Sequence, residues 1–275
     1  MRQIISYMDI KELVRSTVNA EIVKSRQFII AANWKMNKNM KEVFLFIDEL
    51  KKRYTGKKRN SVILFPPYPY VMLAQELLKN TDISYGLQNI HWESSGAFTG
   101  EVSPLMARDL GCQYAIIGHS ERRNIFFEND EMINKKIKAA LAEGIIPVLC
   151  LGEDMEARRE NRHRDIIRKQ LYEGMADADI SLQNRIIIAY EPVWAIGSGA
   201  TAASNQIEEM HGYINSLLCE LYGSDIASGI PVLYGGSVNP GNIQDLAVVK
   251  NVSGFLIGGA SLKVKDFLKI IELLE

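Results

Sequence analysis

Three side chains of unlike chemistry stand at the ends of apolar runs in this sequence. Lys35 follows Phe28 to Asn33, His119 follows Tyr114 to Ile117, and Glu191 follows Arg185 to Tyr190. An ammonium, an imidazole and a carboxylate suit proton abstraction beside a carbonyl. The carboxylate takes the proton as general base, the imidazole donates a hydrogen bond to the carbonyl oxygen, and the ammonium balances the charge growing there. Two further apolar runs end in Gly235, Gly236 and Ser237 and in Gly258 and Gly259. Glycines at such places let backbone N–H groups approach a phosphate, and a following helix N-terminus attracts it. The combination predicts a small phosphorylated carbonyl compound as substrate. Taken singly, each feature has an ordinary explanation: a solvated Lys or Glu, a satisfied structural histidine, a turn glycine, an Asn33 that caps a turn. The coincidence of five strand ends favours the chemical reading.

The surroundings of Glu191 sharpen it. Pro192 cannot continue a sheet ladder and biases Glu191 toward extended backbone. Trp194, Ile196 and Gly197 follow, then small residues as far as Ala202 and a helical pattern from Ser204. A base at a rigid strand end, followed by a glycine-containing segment, suits a lid over Pro192 to Ala202. Its closure would desolvate the carboxylate and raise its pKa. Gly197 could then add an N–H to the ligand. His119 lies in Gly118-His119-Ser120-Glu121-Arg122-Arg123, where a helical turn can begin. Near a helix N-terminus the imidazolium is disfavoured, so the ring is expected to be neutral.

The elements that must position these groups alternate along the chain. Apolar, strand-like runs are expected at Phe28–Asn33, Ser61–Phe65, Ile83–Leu87, Tyr114–Ile117, Ile145–Leu151, Arg185–Tyr190, Ile230–Tyr234 and Gly254–Ile257. Helical patterns follow at Met40–Arg53, Pro69–Lys79, Pro104–Leu110, Asp130–Glu143, Glu156–Met175, Ser204–Leu221, Gly241–Val248 and Ser261–Leu274. Several strands are continuous Ile, Val and Leu runs, as when both faces are covered. Eight strand-then-helix units within about 250 residues match an α/β protein of the (β/α)8 barrel type. The rival is a doubly wound open sheet. The barrel is preferred because polar, charged and glycine residues gather after many strands rather than at one switch point. Residues 27–275 form that single domain, since no linker rich in Gly, Ser or Pro interrupts them.

Residues 1–26 form an N-terminal amphipathic extension. Asp9 and Glu12 have capping-box spacing, and Ile10, Leu13, Val14, Thr17, Val18 and Ile22 share one helical face. The segment is either a helix docked on its own barrel or a frayed tail, or else a short helix that recruits a partner. The segment resembles the amphipathic encapsulation peptides that carry enzymes into bacterial microcompartments, which implies a shell or other protein as partner through residues 9–22.

Composition excludes other classes. A formal net charge of -1 gives no reason to expect nucleic acid or an anionic membrane. No apolar run approaches ~18 residues, so no transmembrane helix is expected, and no secretory h-region follows Met1. Cys112, Cys150 and Cys219 form no CxxC pair, which argues for a reducing, cytoplasmic setting and against a zinc site. The segment Gly197-Ser198-Gly199-Ala200-Thr201-Ala202 reads as GxGxxA, but it lies late and outside a first βαβ unit, so hydride transfer is the weaker reading. Ser120 does not sit in GxSxG and is a poor nucleophile candidate.

Together the segments Asn33-Trp34-Lys35-Met36-Asn37, Gly118 to Arg123, Ala189 to Gly197, Tyr234-Gly235-Gly236-Ser237-Val238 and Gly258-Gly259-Ala260-Ser261-Leu262 resemble the triosephosphate isomerase family, in order and spacing, over about residues 28 to 275. That family is a standard illustration of a Glu base, a neutral His and a closing loop, so these roles are carried over from it. The resemblance implies a TIM barrel that interconverts dihydroxyacetone phosphate and D-glyceraldehyde 3-phosphate in glycolysis and gluconeogenesis, with no metal or cofactor. It implies Glu191 as base, His119 as electrophile and Lys35 as electrostatic residue. Asn33 becomes a substrate contact, Gly197, Ser237, Gly258 and Gly259 the phosphate grip, and Glu121 a carboxylate supporting the lysine. The lid would contain Pro192, Trp194, Ile196 and Gly197. The family is typically homodimeric, and Phe98 and Thr99 match the tip of its interdigitating loop. The extension, Leu87 where a small residue is common, and Ala200 where Lys is frequent depart from the pattern. They leave a paralogue acting on a four-carbon ketose phosphate, such as erythrulose phosphate, as the alternative. They also leave the lumen of a bacterial microcompartment as an alternative to the open cytoplasm.

Overall fold

The computed structural model describes residues 17–19, 21–54, 59–180, 186–195 and 202–275. Eight parallel strands close into a barrel in chain order, β8 pairing back onto β1. They are β1 (Ile29–Asn33), β2 (Ser61–Phe65), β3 (Ile83–Leu87), β4 (Tyr114–Ile117), β5 (Ile146–Leu151), β6 (Ile187–Tyr190), β7 (Val232–Tyr234) and β8 (Gly254–Ile257). The helices on the outside are α1 (Met40–Arg53), α2 (Val71–Leu78), α3 (Pro104–Asp109), α4 (Ser120–Ile125), α5 (Asp130–Ala142), α6 (Met155–Arg159), α7 (His163–Gly174), α8 (Ser204–Ala227), α9 (Ile243–Ala247) and α10 (Val264–Leu273).

The strands are mostly apolar because most of their residues are buried on both faces of the barrel. Ala31, Ile63, Phe65, Ile116, Val148, Cys150, Ile187, Ala189, Leu233 and Leu256 fill the barrel interior. Their neighbours Ile30, Ala32, Leu64, Ile117, Leu149, Ile188, Val232 and Ile257 face the helices in the larger outer core. This alternation at period two also decides what reaches the mouth. Continued past the strand ends, the inward parity of Ala31 falls on Asn33, that of Ala189 on Glu191, that of Leu233 on Gly235 and that of Leu256 on Gly258. The sequence thus aims four site positions at one opening merely by continuing the pleat.

The helices start where their caps dictate. Asn39 closes a capping box with Glu42 on α1, and Ser103, Asn129 and Asp154 accept from the first turns of α3, α5 and α6. Four outer elements differ from the sequence expectation. The single charged helix expected over Glu156–Met175 is two helices, α6 and α7, broken where Asn161 takes φ +55°. The helix from Ser204 continues past Leu221 to Ala227, through a non-helical Gly223. The last helix does not begin at Ser261: a 3-10 turn, Gly259–Leu262, precedes α10. The turn suspected after His119 is a short helix, α4. Helical periodicity alone does not register one left-handed residue or a single 3-10 turn, because the polar and apolar faces keep their phase across both.

Ahead of β1, residues 17–19 and 21–25 are helical. Val23 is buried in the outer core, whereas Val18 and Ile22 are exposed. Arg26 donates to the carbonyls of Ala247, Val249 and Val252, so it caps the C-terminal end of α9 and the loop beyond it. Parallel topology places that end, like the start of β1, at the N-terminal mouth. Residues 1–16, which hold most of the predicted amphipathic face including Ile10, Leu13 and Val14, lie outside the described residues.

Candidate active site

Glu191 is held from both sides by the barrel ladder. Its N–H donates to Leu151 O at 2.7 Å, and the N–H of Gly235 donates to Tyr190 O at 2.8 Å. The chain therefore keeps strand geometry one residue beyond β6, and Pro192 ends it. Gly235 is needed for packing: a Cβ there would sit 2.9 Å from Glu191 Cγ. The carboxylate is only 1% exposed. One oxygen, Oε2, accepts from the Ser120 N–H at 2.9 Å, and the other, Oε1, lies 3.0 Å from His119 Nε2.

Those contacts correct one expectation. Burial, the largest influence on Glu191, pushes its pKa up, but His119, the Ser120 N–H and Lys35 outweigh it, and the net direction is down. In this conformation the base is held ionised. The rise expected from lid closure would require these partners to be released first.

His119 reaches the mouth because Gly118 takes φ +71°, a left-handed step that a side chain would strain. His119 is then the N-cap residue of α4, and its Nδ1 accepts from the Glu121 N–H at 3.2 Å. An accepting Nδ1 carries no proton, so the proton sits on Nε2 and points at Glu191. That hydrogen-bond pattern fits a neutral ring, the form expected from the sequence. Burial lowers its pKa, while the adjacent Glu191 carboxylate raises it more, so the net direction is up. An imidazolium would still have to break the Nδ1 bond to the backbone.

Lys35 Nζ pairs with Glu121 Oε1 at 2.7 Å. Lys35 has φ +52°, and its carbonyl and that of Phe65 both accept from Gln88 Nε2, at 3.0 and 2.8 Å. The Asn33 side chain accepts from the Lys35 N–H at 3.0 Å. The β1–α1 loop is thus pinned before a ligand arrives. Asn33, Lys35, His119, Glu191, Gly235, Gly236, Ser237, Gly258 and Gly259 all line one cavity of about 440 Å³. Asn239, Lys263 and Asp266 line it too, and none of these was singled out from sequence. Lys263 precedes α10 after the turn that follows β8, one turn beyond the strand end.

The lid is described only at its first hinge. Trp194 Nε1 donates to Glu153 Oε1 at 2.9 Å, and Tyr190 OH donates to the same oxygen at 3.0 Å. Arg158 stands 3.5 Å from it. Burial raises the Glu153 pKa, and these donors work against the rise. Sequence reasoning missed Glu153, although it follows the β5 run just as His119 and Glu191 follow theirs. Ile196 and Gly197 lie outside the described residues. The loop 88–103 folds on itself: Phe98 packs on His91, ring centroids 4.3 Å apart, while Phe98 and Thr99 remain exposed.

With this geometry in hand, the chain was compared with known proteins. The family described as Triosephosphate isomerase matches residues 28–274. The triosephosphate isomerase of Dictyoglomus thermophilum is 45% identical over 247 residues, covering 90% of this chain and 99% of that protein. That of Finegoldia magna is 45% identical over 250 residues, covering 90% and 98%. The crystal structure of triosephosphate isomerase from Bartonella henselae superposes with a TM-score of 0.80 at 36% identity, covering 89% of this chain and 98% of that one.

Proposed function

The chain belongs to the triosephosphate isomerase family, and from that premise we infer that Glu191, His119 and Lys35 carry its reaction. The activity is aldose–ketose isomerisation, the interconversion of dihydroxyacetone phosphate and D-glyceraldehyde 3-phosphate. One observation supports the assignment above the others: a buried carboxylate, hydrogen-bonded to a neutral imidazole, lines the same cavity as an ammonium and two glycine turns.

The substrate carbonyl takes the Nε2–H of His119, which in the resting site is spent on Glu191. Freed from His119 and Ser120, the carboxylate abstracts the proton from the carbon beside the carbonyl. The C–H electron pair becomes the C=C bond of an enediolate, and the carbonyl oxygen carries the charge that Lys35 and His119 stabilise. The hydroxyl proton of the enediolate passes by way of His119 to the former carbonyl oxygen, Glu191 returns its proton to the former carbonyl carbon, and the new C=O forms on the carbon that first lost its proton. Asn33 contacts the reacting end of the substrate. Backbone N–H groups at Ser237, Gly258 and Gly259, with Gly197 of the lid, hold the phosphate. Glu121 keeps Lys35 extended into the cavity. Lid closure excludes water and protects the enediolate from losing phosphate. A coupled assay comparing three- and four-carbon ketose phosphates tests the substrate, and the first should be turned over far faster. No observation favours the four-carbon alternative.

Three exposed apolar sets, Met36 after β1, Phe98 after β3, and Ile125 to Phe127 after β4, lie on loops of the same end of the barrel. They support a homodimer in which a second copy covers this side, with Phe98 and Thr99 at the contact. Sedimentation of the Phe98→Asp variant should show a shift toward monomer. No helix among the described residues is long and apolar enough to cross a membrane, and a glycolytic role supports a cytoplasmic location. The extension then serves targeting, to a microcompartment shell or another protein. Val18 and Ile22 turn apolar side chains outward at the mouth opposite the site, where a bound partner leaves catalysis unobstructed.

A further inference from the structure

The β1–α1 loop carries Asn33 and Lys35, and the loop after β8 carries Gly258 and Gly259. The pairing between β1 and β8 ends at Ala32 and Ile257, so beyond the sheet the two loops need another tie. Lys38 supplies it. Its Nζ donates to Leu262 O at 2.7 Å, at the last residue of the turn Gly259–Leu262. The same ammonium lies 5.0 Å from the Trp34 ring centroid and 4.4 Å from that of Phe46. Trp34 is fully buried between Asn33 and Lys35 in the chain, and Phe46 lies on the buried face of α1. One cation therefore joins the β1 loop, the first helix and the β8 turn.

The backbone at this point is not what a surface lysine would choose. Lys38 takes φ +73°, where glycine would be less strained. Its side chain is half-buried, and that burial lowers its pKa. Strain and desolvation at one residue persist only where contacts offset them, and the contacts here are the carbonyl of Leu262 and two ring faces. The turn being held bears on both ends of the cavity. Lys35 lies along Gly258, where an added Cβ would stand 3.4 Å from Lys35 Cε.

We propose that Lys38 is a positioning residue for the phosphate subsite, locking the Gly259–Leu262 turn onto the loop that presents Lys35 and so fixing the span between the phosphate and the reacting carbons. The proposal rests on reading Gly258 and Gly259 as the phosphate grip. It is tested with three variants of the full chain. Lys38→Met keeps the apolar stem and removes the ammonium, Lys38→Gly also relieves the backbone, and Lys38→Arg keeps a cation. The readouts are kcat and KM for the triose phosphates, the inhibition constant of inorganic phosphate, and the thermal midpoint.

The Met and Gly variants should raise KM and the phosphate inhibition constant together, by about tenfold, the scale of losing one charged hydrogen bond. Their kcat should stay within about twofold, and Lys38→Arg should recover most of both constants. A folded Met or Gly variant with unchanged KM and phosphate inhibition overturns the role of Lys38, as does a fall in kcat alone. Should Lys38→Met fail to fold, Lys38→Gly, with its relaxed backbone, decides the matter by the same criteria. Wild-type enzyme that inorganic phosphate does not inhibit competitively would instead overturn the grip itself.

Discussion

The barrel has a cavity at each mouth, and the two are nearly the same size. The one at the strand C-termini is about 440 Å³ and the one at the strand N-termini about 450 Å³. The first is lined by Lys35, His119, Glu191, Lys263 and Asp266, among others. The second is lined by Phe28, Ile29, Tyr114, Ile146, Ile187, Pro231 and a few serines and glycines, and no lining residue is charged. Volume does not distinguish them; the direction of the chain does. Parallel strands feed every following helix from the same end, so the positive helix N-termini and the polar βα loops gather at one mouth. An anionic substrate is favoured by the helix N-termini there, and meets helix C-termini at the other end.

The sharpest way to break this contrast is at Glu191. Glu191→Gln should lower kcat by about a thousandfold, the range for a general base. Glu191→Asp, which withdraws the carboxylate by one methylene, should cost at least about a hundredfold. The thermal midpoint should fall modestly in Glu191→Gln, because His119, the Ser120 N–H and Lys35 hold the Glu191 pKa down and so favour the ionised carboxylate in the folded state. Steady-state kinetics beside a thermal melt checks both, and an unchanged kcat would take the chemistry away from this mouth.

Next in size is a pH effect in the outer core, between the barrel and α8. His211 of α8 is fully buried, with Nδ1 3.1 Å from Asn251 O, Nε2 without a partner and the Tyr190 ring edge-on at 5.8 Å. Burial first, with the Arg26 guanidinium adding to it and the Asn251 carbonyl opposing, lowers its pKa from 6.5 to about 4. The folded state thus binds fewer protons than the unfolded one between these values. The stability His211 contributes is complete above pH 6.5 and is lost as pH falls toward 4, on the order of 3 kcal/mol in all. Denaturation at pH 7.5 and pH 5 should show the loss in the wild type, and His211→Gln should remove most of the difference.

A smaller effect is expected at the lid hinge. Trp194→Phe removes one hydrogen bond to a buried partner, and Glu153→Gln weakens the same contacts by removing the charge; each loosens the segment that follows Glu191. About a tenfold fall in kcat/KM should result, with the fold intact. A loss as large as that of Glu191→Gln would mean that Glu153 takes part in the chemistry.

These residues also show what a sequence displays and what it conceals. Glu191, Asn33, Gly235 and Gly258 were legible because each stands at the end of an apolar run, and the end of a run needs no coordinates. Glu153 obeys a neighbouring version of the same rule, but its role depends on Trp194 and Tyr190 converging on one oxygen, and convergence across three segments leaves no local pattern. Lys38 is harder still. It reads as one more loop lysine, and only its φ and the carbonyl of Leu262, 224 residues away, reveal otherwise. The break between α6 and α7 was invisible because Asn161 interrupts the helix without disturbing the spacing of apolar residues around it.

The smallest expected change in rate lies at the uncharged mouth. Removing residues 1–16 takes away most of the amphipathic extension but leaves Val23 in the core and Arg26 on the carbonyls of Ala247, Val249 and Val252. Turnover and thermal midpoint should both stay near wild type, with kcat within about twofold. Removing residues 1–26 also strips the cation from those three carbonyls, so the thermal midpoint should fall by several degrees, consistent with losing charged hydrogen bonds in a chain of this size. Even then kcat should hold, because α9 and β8 meet Arg26 at the end away from Gly258. If the longer deletion lowers kcat while the protein remains folded, the two mouths are mechanically coupled, and the separation between a chemical end and a docking end fails.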